Sequence, residues 1–320
     1  MNAAVVHAFD APPRYTSFAE PVPADGEFIV TLIAAGLHPI VKALATGSHY
    51  SSAGVLPFIP GVDGVGEQQD GGLVYFGMSR APFGTFAERC LAARKICIPV
   101  PENLDPVMVA GIVNPGMSSW VALTRRAELV AGENVLILGA TGTAGQLAVQ
   151  IAKHLGAQRV MAAGRNRAIL QTLTDLGADA TVALDQDHDS LVSSIRHEWM
   201  AFGIDVVLDY LWGPPAQAVL EAISQRSPQR DVSPLRFVQV GESAGKTISL
   251  PAALLRSTAI ELRGSGFGSA SMDQIFKALS EFFHMLPKSP LKIKVSPVPL
   301  RDVEALWNST GQGTRYVFVP

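Results

Sequence analysis

The sequence predicts an α/β protein with two domains, one built around a doubly wound parallel sheet and one a mostly-β barrel. Three observations support this fold class. The middle of the chain alternates short apolar runs with helical periodicity, the first third carries short strand-like segments separated by Gly and Pro, and the 320 residues exceed the usual size of one core. We place the parallel-sheet domain at residues 113–287 and the barrel domain at residues 1–112 and 288–320.

The N-terminal part of the chain is predicted to be mostly β. Phe28–Ile33 is a run of residues with high strand propensity, and glycine and proline then punctuate a series of short segments. After Pro287 the helical rhythm ends. The strand-like segments Leu291–Val298 and Tyr316–Val319, with a short helix at Val303–Trp307 between them, are expected to return and complete the same domain.

The middle of the chain is predicted to form the parallel sheet. Val135–Leu138 is a continuous apolar run, as expected of a parallel strand that is buried on both faces. Apolar side chains follow at helical spacing from Leu147 to Leu155, and Gly156 fits the position after a helix end. Further predicted strands are Arg159–Ala163, Ile204–Leu208, Phe237–Val240 and Ile260–Leu262, alternating with predicted helices at Ile169–Leu176, Gln217–Ile223 and Asp273–Met285.

Composition argues against several classes of function. The net charge is −3 and no block of Lys or Arg is present, so we expect no nucleic-acid or membrane partner. Cys90 and Cys97 are too few for a disulfide framework or a four-thiolate zinc site. We see no signal peptide and no uninterrupted apolar segment of the ~20 residues that a membrane helix needs. A cytoplasmic protein with reduced thiols is therefore expected.

A glycine-rich segment directly follows the Val135–Leu138 strand and opens the next helix: Gly139, Ala140, Thr141, Gly142, Thr143, Ala144 and Gly145. In this context Gly142 lets the backbone approach a pyrophosphate, and Gly145 lets the helix pack closely on the strand. The free N–H groups and the positive end of the helix dipole attract phosphates. The spacing GxxGxxG is not the commonest, and a glycine-rich turn that binds nothing is the alternative. We predict a dinucleotide site.

The end of the next strand distinguishes NADP from NAD. An NAD site usually carries Asp or Glu there, but this chain has no carboxylate in Gly164-Arg165-Asn166-Arg167. Arg165 can bond a 2′-phosphate, and Arg167 can add charge. Asn166 either bonds the phosphate or caps the following helix. We predict NADP(H), the alternative being that Arg165 is a solvated loop residue.

Later strand ends are further candidates, because ligands bind at the carboxyl ends of doubly wound strands. Gly241-Glu242-Ser243 follows one strand, and Gly264-Ser265-Gly266 follows another. Asp209–Trp212 follows a third strand, where Trp212 either shapes the cleft or packs in the ordinary way.

The chain resembles the zinc-free quinone oxidoreductase branch of the medium-chain dehydrogenase/reductase superfamily. The resemblance runs along nearly the whole chain and rests on four segments: Ala35–Pro39, Leu56–Gly66 with its PGVDGVG sequence, Asn134–Gly145 and Val238–Gly241. It implies a Rossmann domain, a GroES-like substrate domain, an active site in the cleft between them, and often a homodimer. It also implies nicotinamide and ribose contacts from the Gly241 and Gly264 segments, and a C-terminal loop at Gly313–Arg315 in which Arg315 reaches the 2′-phosphate.

Comparison with zinc-dependent relatives predicts that no metal is bound. Those relatives carry a Gly-His-Glu motif and a catalytic cysteine, whereas the matching positions here read Gly61-Val62-Asp63 and His38, and a third ligand position falls near Asn114. One possible ligand among three does not make a zinc site, because catalytic zinc takes about three protein donors.

Without a Lewis acid, the reduction of a plain ketone lacks a partner for the charge that develops on oxygen. A quinone or α,β-unsaturated carbonyl is electron-poor and delocalises that charge, so the protein mainly holds the reactants together and supplies hydrogen-bond donors. The resemblance implies that the candidate donors near the cleft are His38, Lys42, Tyr50, Asn114 and Ser118. Alternatively, His38 packs in a turn, Lys42 is solvated, Asn114 belongs to a turn and Ser118 caps a helix.

The expected function is an NADPH-dependent quinone or enone reductase that forms a homodimer. Because acid and base groups are sparse, an NADPH-binding structural or sensor protein with little catalysis is the alternative. A zinc alcohol dehydrogenase is a third hypothesis.

Overall fold

The computed structural model describes residues 1–49, 51–52, 54–224, 234–309 and 313–320. These residues divide into two compact units. One comprises Met1–Pro115 and Phe283–Pro320, and the other Gly116–Phe282. The domain boundaries after residues 112 and 287 stay a prediction from the sequence.

Strands and helices follow one another in three stretches. The N-terminal stretch contains β1 (Asn2–Val5), β2 (Arg14–Ser17), β3 (Glu27–Gly36), α1 (Pro39–Ala45), β4 (Asp63–Glu67), β5 (Leu73–Gly77), β6 (Arg89–Ala93), β7 (Ile98–Pro99) and α2 (Pro106–Val121). The middle stretch contains β8 (Asn134–Leu138), α3 (Thr143–His154), β9 (Arg159–Gly164), α4 (Arg167–Thr172), β10 (Ala180–Ala183), α5 (His188–Phe202), β11 (Val206–Asp209), α6 (Gly213–Ala222), β12 (Leu235–Gln239), α7 (Ala252–Ser257), β13 (Ile260–Gly264) and α8 (Met272–Met285). The C-terminal stretch contains β14 (Lys294–Pro299), α9 (Val303–Leu306) and β15 (Thr314–Val319).

The first unit is a mostly-β domain centred on β3. This strand pairs with β4, β6 and β15, and the sheet runs in the order β14-β15-β3-β4-β5-β7. The C-terminal strands therefore complete the sheet that the N-terminal strands begin, as the sequence predicted. The rings of Phe86 and Phe318, both fully buried, meet edge to face at 5.0 Å between centroids in its core.

The second unit contains the predicted doubly wound sheet. Its six strands run in the order β10-β9-β8-β11-β12-β13, and every neighbouring pair is parallel. The fully buried side chains of Leu136, Ile137 and Leu138 explain the continuous apolar run in β8. The strand order reverses between the neighbouring strands β8 and β11, and this switch point is where such sheets bind ligands.

Several elements were missed from the sequence. They include β10, α5 and α2. Pro106 is the first residue of α2, where its missing N–H costs nothing, and Pro115 lies inside the helix. The segment Pro106–Arg126 has the length and composition of a membrane-spanning helix, but 72% of its most apolar window is buried inside the protein. Such burial is typical of a core helix in a soluble fold.

Candidate functional site

The glycine-rich segment forms the turn between β8 and α3, as predicted. Gly139 has a φ of +87°, in the left-handed region that favours glycine. A Cβ on Gly145 would lie 2.3 Å from the carbonyl oxygen of Gly139, so only glycine allows α3 to approach the strand this closely. A Cβ on Gly142 would meet only that same oxygen, at 3.4 Å. The turn therefore leaves no room for a side chain where it faces the strand, but it leaves space beside Gly142.

The first turn of α3 provides free backbone donors. Its N-cap is Gly142, which supplies no side-chain cap, and the first helical hydrogen bond joins the Gln146 amide to the Gly142 carbonyl at 2.9 Å. The amides of Thr143, Ala144 and Gly145 precede that bond and have no carbonyl one turn earlier to receive them. Free amides at the start of a 12-residue helix attract anions. This donor set fits a diphosphate.

The end of β9 lies beside this turn because β8 and β9 are parallel neighbours. The amides of Gly139 and Ala140 both donate to the carbonyl of Ala163, at 2.9 and 2.8 Å. The side chain of Thr141 fills the space next to Gly164, where a Cβ would lie 2.3 Å from it. Two segments singled out from the sequence are thus in direct contact.

Three polar side chains at the end of β9 have different partners. The Asn166 Oδ1 atom accepts the Ile169 amide at 3.2 Å and so caps α4, which was one of its two predicted roles. The Arg167 Nε atom donates to Asp185 at 2.8 Å. Arg165 is exposed and makes no hydrogen bond or ion pair within the part of the chain that the structure describes. Its guanidinium is therefore available to a phosphate.

The ends of β12 and β13 bring the other predicted cofactor segments to the same edge of the sheet. The Ser243 hydroxyl donates to the Tyr210 carbonyl at 3.1 Å, and the Ser265 amide donates to the Gln239 carbonyl at 2.8 Å. A cavity of about 370 Å³ lies here, lined by Trp212, Phe237, Gln239, Glu242, Lys246, Leu262, Arg263 and Gly264. Glu242 and Gly264, from two different predicted segments, thus line one cavity.

A strained turn follows β11. Trp212 has a φ of +55°, which is unfavourable for a tryptophan, and its indole packs edge to face on Phe237 at 6.1 Å. The buried carboxylate of Asp209 holds the turn, because one oxygen accepts the amides of Leu211 and Trp212 at 2.8 and 3.0 Å. Burial raises the pKa of Asp209 to about 6, although these hydrogen bonds oppose the shift. The packing role predicted for Trp212 is observed, and Trp212 also lines the cavity, while its role in shaping the cleft stays a prediction.

His38 lies in the mostly-β unit and is enclosed, with 1% of its surface exposed. Its Nε2 atom lies 3.3 Å from an oxygen of Asp63, at an angle that makes no well-formed hydrogen bond. Burial lowers the pKa of His38, and the opposing attraction of Asp63 is smaller. A neutral, enclosed ring favours the packing role of His38 over contact with a substrate.

Tyr75 also contacts Asp63, and the sequence did not predict this contact. Its hydroxyl donates to the second oxygen of Asp63 at 2.8 Å, and burial raises its pKa well above the usual value. The contact follows from register: Tyr75 pairs with Val65, so Asp63, two residues away, lies diagonally on the same face of the sheet. No local pattern in the sequence reveals such a pairing.

Arg315 does not lie where the sequence prediction placed it. It is 8% exposed in the mostly-β unit, and its Nη1 atom donates to the Leu37 carbonyl at 2.6 Å. Burial lowers the pKa of Arg315 to about 10, with Asp63 opposing the shift. An enclosed guanidinium that is already bonded is not free to bind a 2′-phosphate, so we assign Arg315 to the cluster around Asp63.

The cluster around Asp63 does not fit a zinc ion. His38 and Asp63 offer two possible donors, Val62 offers none, and the charge of Arg315 interacts with both His38 and Asp63. Across the described ranges, no group of three His, Cys, Asp or Glu side chains is placed to hold a metal ion.

The remaining candidate donors lie in different places. Asn114 and Ser118 are inside α2, so the alternative roles as a turn residue and a helix cap are wrong. The Lys42 ammonium is half-buried and lies 3.4 Å from the Ser309 carbonyl. Tyr50 lies outside the described residues.

Comparison with known proteins identifies the family of the chain. A family model described as "Zinc-binding dehydrogenase" matches residues 144–284. A probable NADPH-dependent quinone reductase of Emericella nidulans is 28% identical over 361 aligned positions, which cover 100% of both chains. A quinone oxidoreductase of Pongo abelii is 30% identical over 222 positions, covering 66% of each chain. The chain belongs to the medium-chain dehydrogenase/reductase superfamily.

Within that superfamily it belongs to the quinone oxidoreductase branch, as the sequence predicted. The Escherichia coli quinone oxidoreductase, solved in complex with NADPH, superposes with a TM-score of 0.84 at 18% identity, with 100% of both chains covered. At this identity the likeness confirms the fold: a Rossmann domain together with a GroES-like domain.

We expect the enclosed His38 to make stability depend on pH. Its folded pKa is lowered, so below a pH of about 6.5 the unfolded chain takes up protons that the folded chain resists. The free energy of unfolding should therefore fall with decreasing pH, by at most about 1.4 kcal/mol per pH unit from this group. Urea titrations of wild type and His38→Gln between pH 7 and 5 measure this, and the variant should have a shallower slope.

The matched control is His7→Gln, because His7 is exposed to water. This variant should retain the wild-type slope. A His38→Gln variant with an unchanged slope would contradict the assignment.

Proposed function

We propose that this protein is an NADPH-dependent reductase that transfers a hydride to a quinone or an α,β-unsaturated carbonyl compound. The bound nicotinamide supplies the hydride. The protein contributes binding and orientation: the free amides at the start of α3 hold the diphosphate, and Arg165 holds the 2′-phosphate. Contacts from Gly241–Ser243 and Gly264–Gly266 complete the cofactor site.

One observation carries the choice of NADPH. An exposed arginine without a partner among the described residues stands at the end of β9, where an NAD-dependent enzyme usually carries a carboxylate. The relatives described as NADPH-dependent and as quinone oxidoreductases support the same choice.

The substrate class follows from the side chains available. The enclosed His38 stays neutral, and the cluster around Asp63 does not fit zinc, so we propose a reaction that needs no Lewis acid. Quinones and enones satisfy this condition because their own conjugation spreads the negative charge left by hydride addition. A proton then completes the reduced product. Asn114 and Ser118 on α2 remain the proposed donors to the substrate oxygen, together with Tyr50.

We further propose a cytoplasmic homodimer. The strand β13 lies at the edge of the parallel sheet, and its Leu262 side chain is 40% exposed. A second copy of the chain can therefore pair with the edge backbone and cover the apolar side chain. Cys90 and Cys97 are free thiols, as expected in a reducing compartment.

The activity is tested by following NADPH oxidation with a panel of quinones and alkenals, with and without a metal chelator. We expect turnover that the chelator does not change. Elemental analysis of the purified protein serves as the control and should find no stoichiometric zinc. Tight NADPH binding without turnover on any acceptor would favour a structural or sensor role instead.

Arg165→Gln should separate the two nucleotides. Loss of a charge-assisted contact to the 2′-phosphate is expected to raise the KM for NADPH by about 10–100-fold and to leave the KM for NADH nearly unchanged. Arg167→Gln is the matched control, because Arg167 is already paired with Asp185 and should matter less. Equal effects of the two substitutions would contradict the assignment.

The two glycines of the turn should respond differently to a methyl group. Gly142→Ala fits the fold, since its Cβ has space and its φ of −77° is ordinary, but the methyl occupies the open side where phosphate is proposed to bind. We expect a nearly unchanged melting temperature and NADPH affinity lowered at least about tenfold. Gly145→Ala should lower both, because its Cβ would collide with the Gly139 carbonyl. Undiminished affinity in Gly142→Ala would place the diphosphate elsewhere.

A further inference from the structure

A chain of two hydroxyl groups reaches the first turn of α3 from the interior. The Tyr210 hydroxyl lies 2.7 Å from the Ser119 Oγ atom, and that Oγ lies 3.2 Å from the carbonyl oxygen of Ala144. Ser119 is fully buried on α2, and Ala144 is the second residue of α3. These hydrogen bonds therefore join α2, the end of β11 and the turn at which the diphosphate is proposed to bind.

The number of protons determines which hydroxyl donates in each of these hydrogen bonds. Each hydroxyl has one proton, so when Ser119 donates to the Ala144 carbonyl, Tyr210 is the donor to Ser119. Burial raises the pKa of Tyr210 to about 12, while hydrogen bonds with Ser119 and Ser118 lower it to a smaller extent. Tyr210 therefore keeps its proton, and its role as donor, across the neutral range.

The backbone of Tyr210 is fixed by other parts of the same edge. Its amide donates to the Leu138 carbonyl at 3.2 Å, and its carbonyl accepts the Ser243 hydroxyl at 3.1 Å. A Cβ on Gly241 would lie 2.7 Å from that same carbonyl. The Asp209 carboxylate holds the turn that follows. The backbone of Tyr210 is thus held in place, so its side-chain hydroxyl can position the neighbouring helix α3.

We propose that Tyr210 is a positioning residue for NADPH. Acting through Ser119, it fixes the first turn of α3 so that the free amides of this turn face the diphosphate, in register with the Gly241–Ser243 segment. Its hydroxyl does not itself touch the nucleotide in this proposal. The inference rests on the proposed NADPH binding. It gives a role to Tyr210, a residue of the Asp209–Trp212 strand end to which the sequence assigned none.

Tyr210→Phe tests the proposal because it removes only the hydroxyl. The Kd for NADPH, measured by nucleotide fluorescence without an acceptor, is expected to rise about tenfold while the melting temperature changes by a few degrees at most. Ser119→Ala interrupts the same chain and should have the same effect. The double variant should bind no more weakly than either single variant, because the two hydroxyls act as one unit.

Tyr75→Phe is the control, since it removes a buried tyrosine hydroxyl from the other unit. It should lower the melting temperature and leave the Kd for NADPH unchanged. Wild-type affinity in Tyr210→Phe, losses that multiply in the double variant, or an equal loss in Tyr75→Phe would overturn the proposal.

Two further outcomes keep the test decisive. If Tyr210→Phe does not fold, Ser119→Ala decides the question by the same criterion. If wild type itself does not bind NADPH, both the proposed function and this inference are wrong. If wild type binds NADPH and the variants bind it equally well, only the positioning role is wrong.

Discussion

The nucleotide-binding unit depends on one close approach, that of α3 to the carbonyl of Gly139. Because Gly145 has no side chain, the helix begins almost in contact with the end of β8. Its free amides then occur at the switch point of the sheet, beside the end of β9 and its exposed Arg165. A backbone contact within the protein thereby determines where negative charge is stabilised, before any ligand is present.

Local patterns predicted the parallel sheet well, and pairings between distant segments much less. The apolar run in β8 and the glycines after it are contiguous, so both the strand and the turn could be identified from their own residues. Tyr75 and Asp63 meet only because β4 and β5 pair in one particular register. Arg315 was misplaced for the same reason: a buried guanidinium cannot be recognised without knowing which strands surround it.

The two units stabilise their buried carboxylates in different ways. Asp209 is held by backbone amides of the turn that it organises, whereas Asp63 interacts with the side chains of Tyr75, His38 and Arg315. Isolated buried charge is costly, and both arrangements reduce that cost. Neither carboxylate is exposed, and each organises the residues next to it within its own unit.

The burial of both cysteines has a chemical consequence for an enzyme of this kind. Quinones and enones are electrophiles that alkylate thiolates, so a protein that handles them is exposed to damage by its own substrates. Cys90 is fully buried and Cys97 is half-buried, and burial raises the pKa of their thiols to about 12 and about 11. At neutral pH almost none of either sulfur is ionised, so neither thiol is an effective nucleophile toward such compounds.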